Sequence, residues 1–348
     1  MYNILITLAK SLFVNSLPAD LLRSDAPIER VKNLFKTYVA VVTIENHSYC
    51  NRTCWFCPNV FLDRRSANHI MPDDVYKKII GDLASIQYDK AIVWSGYLEP
   101  LAHPSICDRV AQARVALPHA YLVIITNGDY LNRETLERLE AAKLDNLTVN
   151  LYLPDGKEDD EGELSVALQH FQRRIGLSLI KCGPRNYVVR GSRIKTPVRA
   201  ALFTHESMLN RAGLLDIPKT HAYRRKAVCI EPIRHAVIDY EGKGMLCCMT
   251  RSDAPQHKSA IFGDLSLPDY SLFHYYRDLA PARMALVSPG PKGGVCQSCD
   301  ARDSGPDRLA RNPTVASAME RLGIGGVLGK VLLEKDRIVF RRAAKQEG

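Results

Sequence analysis

Cys50-Asn-Arg-Thr-Cys54-Trp-Phe-Cys57 places three thiols within eight residues, directly after a β-branched, nearly continuous apolar run over residues 38–44. A run of that kind suits a parallel strand buried on both faces. Soft thiolates gathered in this way select zinc or an iron–sulfur cluster. Three ligands on a four-iron cluster leave one iron open, where a substrate or cofactor can bind. A structural zinc would need a fourth ligand. His47 lies near enough to be one, but zinc motifs rarely use a three-then-two spacing.

The ten cysteines of this 348-residue chain fit the metal reading. The apolar stretch 3–14 is interrupted by Lys10 and lacks both a basic start and a small-residue cleavage site, so an amphipathic helix is expected there rather than a signal peptide. Without export, a disulfide framework is not expected, and a cytoplasmic location is. No apolar run reaches the roughly eighteen residues of a membrane span. The net charge of +9 favours anionic partners only mildly, and no Lys/Arg run interleaved with aromatics marks a nucleic-acid surface.

Strand and helix patterns then alternate. Helical spacing covers 73–86, with Pro72 at its start and two acids in the first turn. Strands are expected at 91–94, 121–126, 147–151, 187–190 and 200–203, and helices from an Asn132 cap through 142 and over 163–179. Repeated strand–helix units predict a parallel α/β layer or barrel, here an open partial barrel of six units. After Gly213 the character changes to a small hairpin, strands 237–240 and 245–247 around a Gly-bearing turn, and then a Pro- and Gly-bearing segment to Cys299. This reads as a compact cysteine module on a minimal core, of the sort that needs metal to stay folded. The acidic run 155–163 reads as a surface loop that could serve as a lid. The tail from 307 is helical and basic.

The Cys-x3-Cys-x2-Cys spacing, with aromatic Phe56 before the last cysteine, resembles the radical S-adenosylmethionine (AdoMet) superfamily. The resemblance implies that the open iron binds AdoMet, whose reductive cleavage gives a 5′-deoxyadenosyl radical. It also implies a partial (β/α)6 TIM-like barrel and an electron donor such as flavodoxin or ferredoxin. Gly96-Tyr97-Leu98-Glu99-Pro100 follows the second strand, where the family carries a Gly-Gly-Glu-Pro-like motif on the methionine amino group. Glu99 matches the acid, and Leu98 departs from the second glycine. Thr126-Asn127-Gly128 ends the third strand, and Asn150 and Tyr152 close the fourth, where the family places cofactor-binding groups. Strand C-termini are the expected site positions in this architecture.

Cys229, Gly242, Cys247, Cys296 and Cys299 resemble the twitch and SPASM auxiliary-cluster modules of the same superfamily, with ligands for one further 4Fe–4S cluster; a four-cysteine zinc knuckle is the alternative. The implied organisation is a helical segment 1–36, a barrel 37–220, a small α+β auxiliary-cluster domain 221–306 and a tail 307–348. Cys248 has no place in that ligand count and is either a buried bystander or a hydrogen-atom donor. Arg211, in Asn210-Arg211-Ala212-Gly213, would meet AdoMet or a substrate anion, or pair with an acid.

A fully ligated second cluster implies electron transfer, hence dehydrogenation of a small polyol, sugar, aminocyclitol or nucleoside, and the layout resembles the twitch-bearing aminocyclitol dehydrogenases. The alternatives are an epimerase using Cys248, a peptide-modifying maturase and a non-catalytic electron carrier. Only 49 residues precede Cys50, little room for a peptide-recognition domain.

Overall fold

The computed structural model describes residues 13–153, 160–200 and 208–301. Most of the N-terminal stretch 3–14, residues 155–159 of the acidic run, the expected strand beyond 200 and the basic tail lie outside these.

A short 3-10 turn, Ala19–Leu22, leads to helix α1 (Ile28–Tyr38) and strand β1 (Val41–Ile44). Tyr38 thus ends a helix instead of opening the strand. Helix α2 (Asp73–Ser85) starts after Pro72 and buries Val75, Tyr76, Ile79, Ile80 and Leu83, a stripe of helical period. Strand β2 (Ala91–Trp94) is buried throughout. Helix α3 (Ser105–Ala116) was not anticipated from the pattern, because Arg109 stands on its buried face. The Arg109 guanidinium satisfies its charge on the Asn46 and Met71 carbonyls and on Asp73. Strand β3 (Tyr121–Thr126) and helix α4 (Arg133–Ala141) follow, the helix capped by the Asn132 side chain on Thr135 N–H. After β4 (Asn146–Leu151), helix α5 (Glu161–Ile175) stops short of 179 because Gly176 adopts the left-handed conformation. An antiparallel hairpin, β5 (Leu179–Gly183) and β6 (Asn186–Val189), then precedes β7 (Pro197–Ala200).

Two compact units emerge. One comprises the described residues from 43 to 208 with 239–241. Its strand order is β1-β2-β3-β4-β7-β6-β5, with β2, β3, β4 and β7 parallel to one another and β6 antiparallel to β7. This is a mixed α/β sheet that does not close. Among the described residues four strand–helix units are followed by a hairpin, where six units were expected.

The other unit comprises the described residues up to 42, with 209–238 and 242–301. Helix α6 (Glu231–Arg234) runs into β8 (His235–Ile238), which pairs antiparallel with β9 (Lys243–Met245), and β9 with β10 (Ile261–Asp264). Helices α7 (Leu272–Asp278) and α8 (Ala280–Val287) complete it. Phe35 of α1 packs edge-on against Phe273 and Tyr276 of α7 at 5.7 and 5.1 Å. The cysteine module therefore has a larger core than the sequence suggested, because α1 contributes to it. Gly244 is required: a Cβ there would lie 2.3 Å from the Tyr275 ring, itself pinned by its hydroxyl to the Met245 carbonyl.

Candidate active site

In the first unit the ends of β1, β2, β3 and β4 carry the residues singled out by sequence. Cys54 is buried, Cys50 and Cys57 partly so, and the turn is closed by Cys57 N–H on the Cys54 carbonyl at 2.9 Å. Burial pushes the Cys50 thiol up to about 11. A desolvated pocket that disfavours bare thiolates fits ligands that give their charge to cationic iron.

The loop is held from within its own motif. Arg52 donates two bonds to Asp129, at 2.6 and 2.7 Å, and two more to the carbonyls of Tyr152 and Leu153. Asn51 donates to Asp129 at 2.7 Å and accepts from Asn127 at 2.9 Å. The bidentate Arg52–Asp129 pair thus ties the cysteine loop to the ends of β3 and β4. Phe56 packs on Tyr152 at 5.1 Å.

Glu99 is buried and collects three donors: Leu101 N–H and the Thr126 hydroxyl on Oε1, and Asn127 N–H on Oε2. Burial pushes its carboxyl up to about 7, against those hydrogen bonds. Glu99, Thr126 and Asn127 therefore form one bonded unit. A carboxylate has about four acceptor positions, and these three donors leave one of them over. Gly96 has φ +142°, and a Cβ there would meet Glu45 Oε1 at 2.3 Å. The same oxygen accepts Tyr97 N–H at 2.6 Å, while Glu45 Oε2 pairs with buried Arg64 at 3.2 Å. Asn150 stands half-buried at the register position of Arg199 on β7 and adds no bond to this network among the described residues. Glu45, Asn51, Arg52, Arg64 and Asp129 were not singled out in the sequence. Asp129 directly follows the Thr-Asn-Gly turn, the one signal that could have marked it.

In the second unit Cys229, Cys247, Cys296 and Cys299 converge. Burial raises the Cys247 thiol, and the charge of Cys248, followed by those of Cys229, Cys299 and Cys296, adds to it. Burial likewise pushes Cys296 up to about 12, opposed by Arg225 and Lys292. Buried Arg225 anchors the last turn by donating to the carbonyls of Cys299 and Ala301. Arg211 lies in this unit, in the left-handed conformation, with Nη1 3.6 Å from the Met249 sulfur. Cys248 lies in a turn closed by Thr250 N–H on the Cys247 carbonyl, just past the end of the hairpin strand. Its neighbours are His235 and Glu231; burial disfavours the charged imidazole of His235, but Cys248 and then Glu231 outweigh it and raise His235 to about 9.

Among the described residues, Glu231, His235 and Cys248 are the metal-capable set whose donor atoms all lie within 4.8 Å of one another. No described helix is long and apolar enough to cross a membrane.

Residues 47–160 match the model of the Radical SAM superfamily. A stretch of 100 residues is 33% identical to the S-adenosyl-L-methionine-dependent 2-deoxy-scyllo-inosamine dehydrogenase of Niallia circulans, covering 29% of this chain and 40% of that protein. The fold is similar to that of BtrN in complex with AdoMet and 2-DOIA, with a TM-score of 0.53 and 19% identity over 78% of this chain and 96% of that one. The Streptococcus suis SuiB structure with precursor peptide SuiA is more distant, at TM-score 0.44 and 14% identity over 81% and 78%. With the three-cysteine loop, the buried acid and the Thr-Asn-Gly turn at successive strand ends, residues 47–160 are identified as a radical SAM domain.

Proposed function

We propose that the protein is a dehydrogenase of a small polyol, sugar, aminocyclitol or nucleoside. Cys50, Cys54 and Cys57 would hold the AdoMet-binding 4Fe–4S cluster, and Cys229, Cys247, Cys296 and Cys299 a second one of twitch type. When bound, the first cluster with AdoMet supplies a hydrogen-abstracting radical and the second a one-electron acceptor. Oxidation of an alcohol to a ketone gives up one hydrogen atom, one proton and one electron, so it needs both. The observation that carries this reading is the convergence of four cysteines, Cys247 and Cys299 buried and Cys229 and Cys296 partly so, in a chain that also has a radical SAM domain. The dehydrogenase likeness over 100 residues supports a small-molecule substrate.

The chain's own residues do the positioning. Glu99, braced by Thr126 and Asn127, offers its remaining acceptor position to the methionine ammonium. Phe56 and Tyr152 form an aromatic wall beside the cysteine loop, and Gly96 leaves room for Glu45 to hold the Tyr97 backbone. Gly96, Tyr97 and Asn150 complete the cofactor surface in this proposal, and Arg211 serves the second unit. A flavodoxin- or ferredoxin-class protein would deliver electrons. A reducing, cytoplasmic setting belongs to the same reading, since cluster ligands must be kept as thiols until metal binds.

The test is anaerobic incubation of the reconstituted protein with AdoMet, reductant and 2-deoxy-scyllo-inosamine or related aminocyclitols. Formation of 5′-deoxyadenosine with an equal amount of ketone is expected. Deuterium from solvent on an inverted carbon, with no ketone, would replace dehydrogenation by epimerisation through Cys248.

A further inference from the structure

We propose that Glu231, His235 and Cys248 form a mononuclear site for a divalent transition-metal ion, zinc or ferrous iron, separate from both clusters. A carboxylate oxygen, an imidazole nitrogen and a thiol sulfur all lie within 4.8 Å of one another. His235 Nδ1 and Glu231 Oε2 stand 3.7 Å apart. That is longer than a hydrogen bond and close to the ligand–ligand edge, roughly 3.3–3.8 Å, of a tetrahedral ion with bonds of 2.0–2.3 Å.

The backbone fixes the three donors independently of any ion. Glu231 opens α6 and His235 opens β8 four residues later. Cys248 arrives from the turn after β9, and the antiparallel register Val237↔Met245 brings that turn beside the start of β8. The turn itself is locked by Thr250 on the Cys247 carbonyl.

The donor set selects the ion. One thiolate, one imidazole and one carboxylate suit zinc or ferrous iron and are too soft for magnesium or calcium. Three protein ligands leave a fourth position open, as in catalytic rather than structural zinc sites. The His235 and Glu231 side chains retain 13% and 11% exposure, which leaves that position reachable by water or by an alcohol oxygen. The ligand class is therefore a hydroxyl compound bound through oxygen to a Lewis acid. The site stands on these three side chains alone and survives if the dehydrogenase reading fails.

The experiment uses anaerobic protein with its full iron content, equilibrated with zinc and dialysed. Metal analysis should find one zinc per chain with iron unchanged. Zinc-edge X-ray absorption should show one sulfur, with the remaining ligands nitrogen or oxygen. His235→Ala and Cys248→Ser should each weaken zinc binding at least about tenfold, the scale on which even outer-shell partners act, at unchanged iron content. No retained zinc, a zinc shell of sulfurs only, or undiminished affinity in the His235→Ala protein would overturn the proposal. The wild-type zinc shell decides the matter even where a variant loses its iron.

Discussion

Glu45→Leu tests the packing that sets the end of β2. Glu45 and Arg64 are buried, with side-chain exposures of 6% and 2%, and their oxygen and nitrogen lie 3.2 Å apart. Removing one partner of a buried pair costs about 3–5 kcal/mol, since the other charge is stranded. Arg64 keeps the Ser48 carbonyl at 3.1 Å and the face of Tyr240 at 4.8 Å, which places this part near the low end. Tyr97 N–H also loses its acceptor, for about 1–3 kcal/mol more. The expected loss is on the order of 4–5 kcal/mol, a large share of a domain's stability of roughly 5–15 kcal/mol. Glu45→Gln keeps an acceptor for Tyr97 and should lose about half as much. Arg64→Leu added to Glu45→Leu removes the stranded cation and should restore ~1–3 kcal/mol. Anaerobic urea unfolding followed by circular dichroism measures these variants, Arg64→Leu alone and the parent protein. Strictly additive losses would refute the coupling, and with it the account of why Gly96 and Tyr97 sit where they do.

Glu99 gives a pH signature. Its carboxyl is raised to about 7 in the fold, so the folded state holds a proton that the unfolded chain releases near pH 4.5; this contribution to stability is present below that range and is lost as pH rises through 7. AdoMet binding, which calls for the carboxylate, should therefore weaken from pH 8 to pH 6 by calorimetry, and Glu99→Gln should bind weakly with no such slope. Reconstituted protein should carry about eight irons, falling to about four in Cys229→Ser/Cys299→Ser while 5′-deoxyadenosine still forms; four irons in the parent protein would remove the second cluster. Gly244→Ala drives a methyl into the Tyr275 ring and should cost ~1–3 kcal/mol in thermal unfolding, and an unshifted midpoint would contradict the packing described.

Strands β2 and β3 were legible because each is a nearly continuous, mostly buried apolar run. Ala91–Trp94 and Tyr121–Thr126 have the same bounds in sequence and structure. Helix α3 was not legible, since burying Arg109 blurs the apolar stripe on which the reading depends. The hairpin β5–β6 is half exposed, so its alternation is weak, and Gly176 gives the only cue that α5 has ended. The cysteines, Glu99 and Thr126 could be found because a local spacing carries them. Arg52 with Asp129 could not: the pair is 77 residues apart in sequence, and only the folded sheet brings the two together. Glu231, His235 and Cys248 belong to one local hairpin region, but no familiar metal-ligand spacing joins them.

The bonds that fix the cysteine loop run between protein groups: Asn51 and Arg52 to Asp129, Asn127 to Asn51, Arg52 to the β4 carbonyls. Each of these bonds leaves the loop for a group at the end of another strand. The loop thus shares the stiffness of the strand ends it is tied to, and a change at Asp129 would reach the cysteines without touching them.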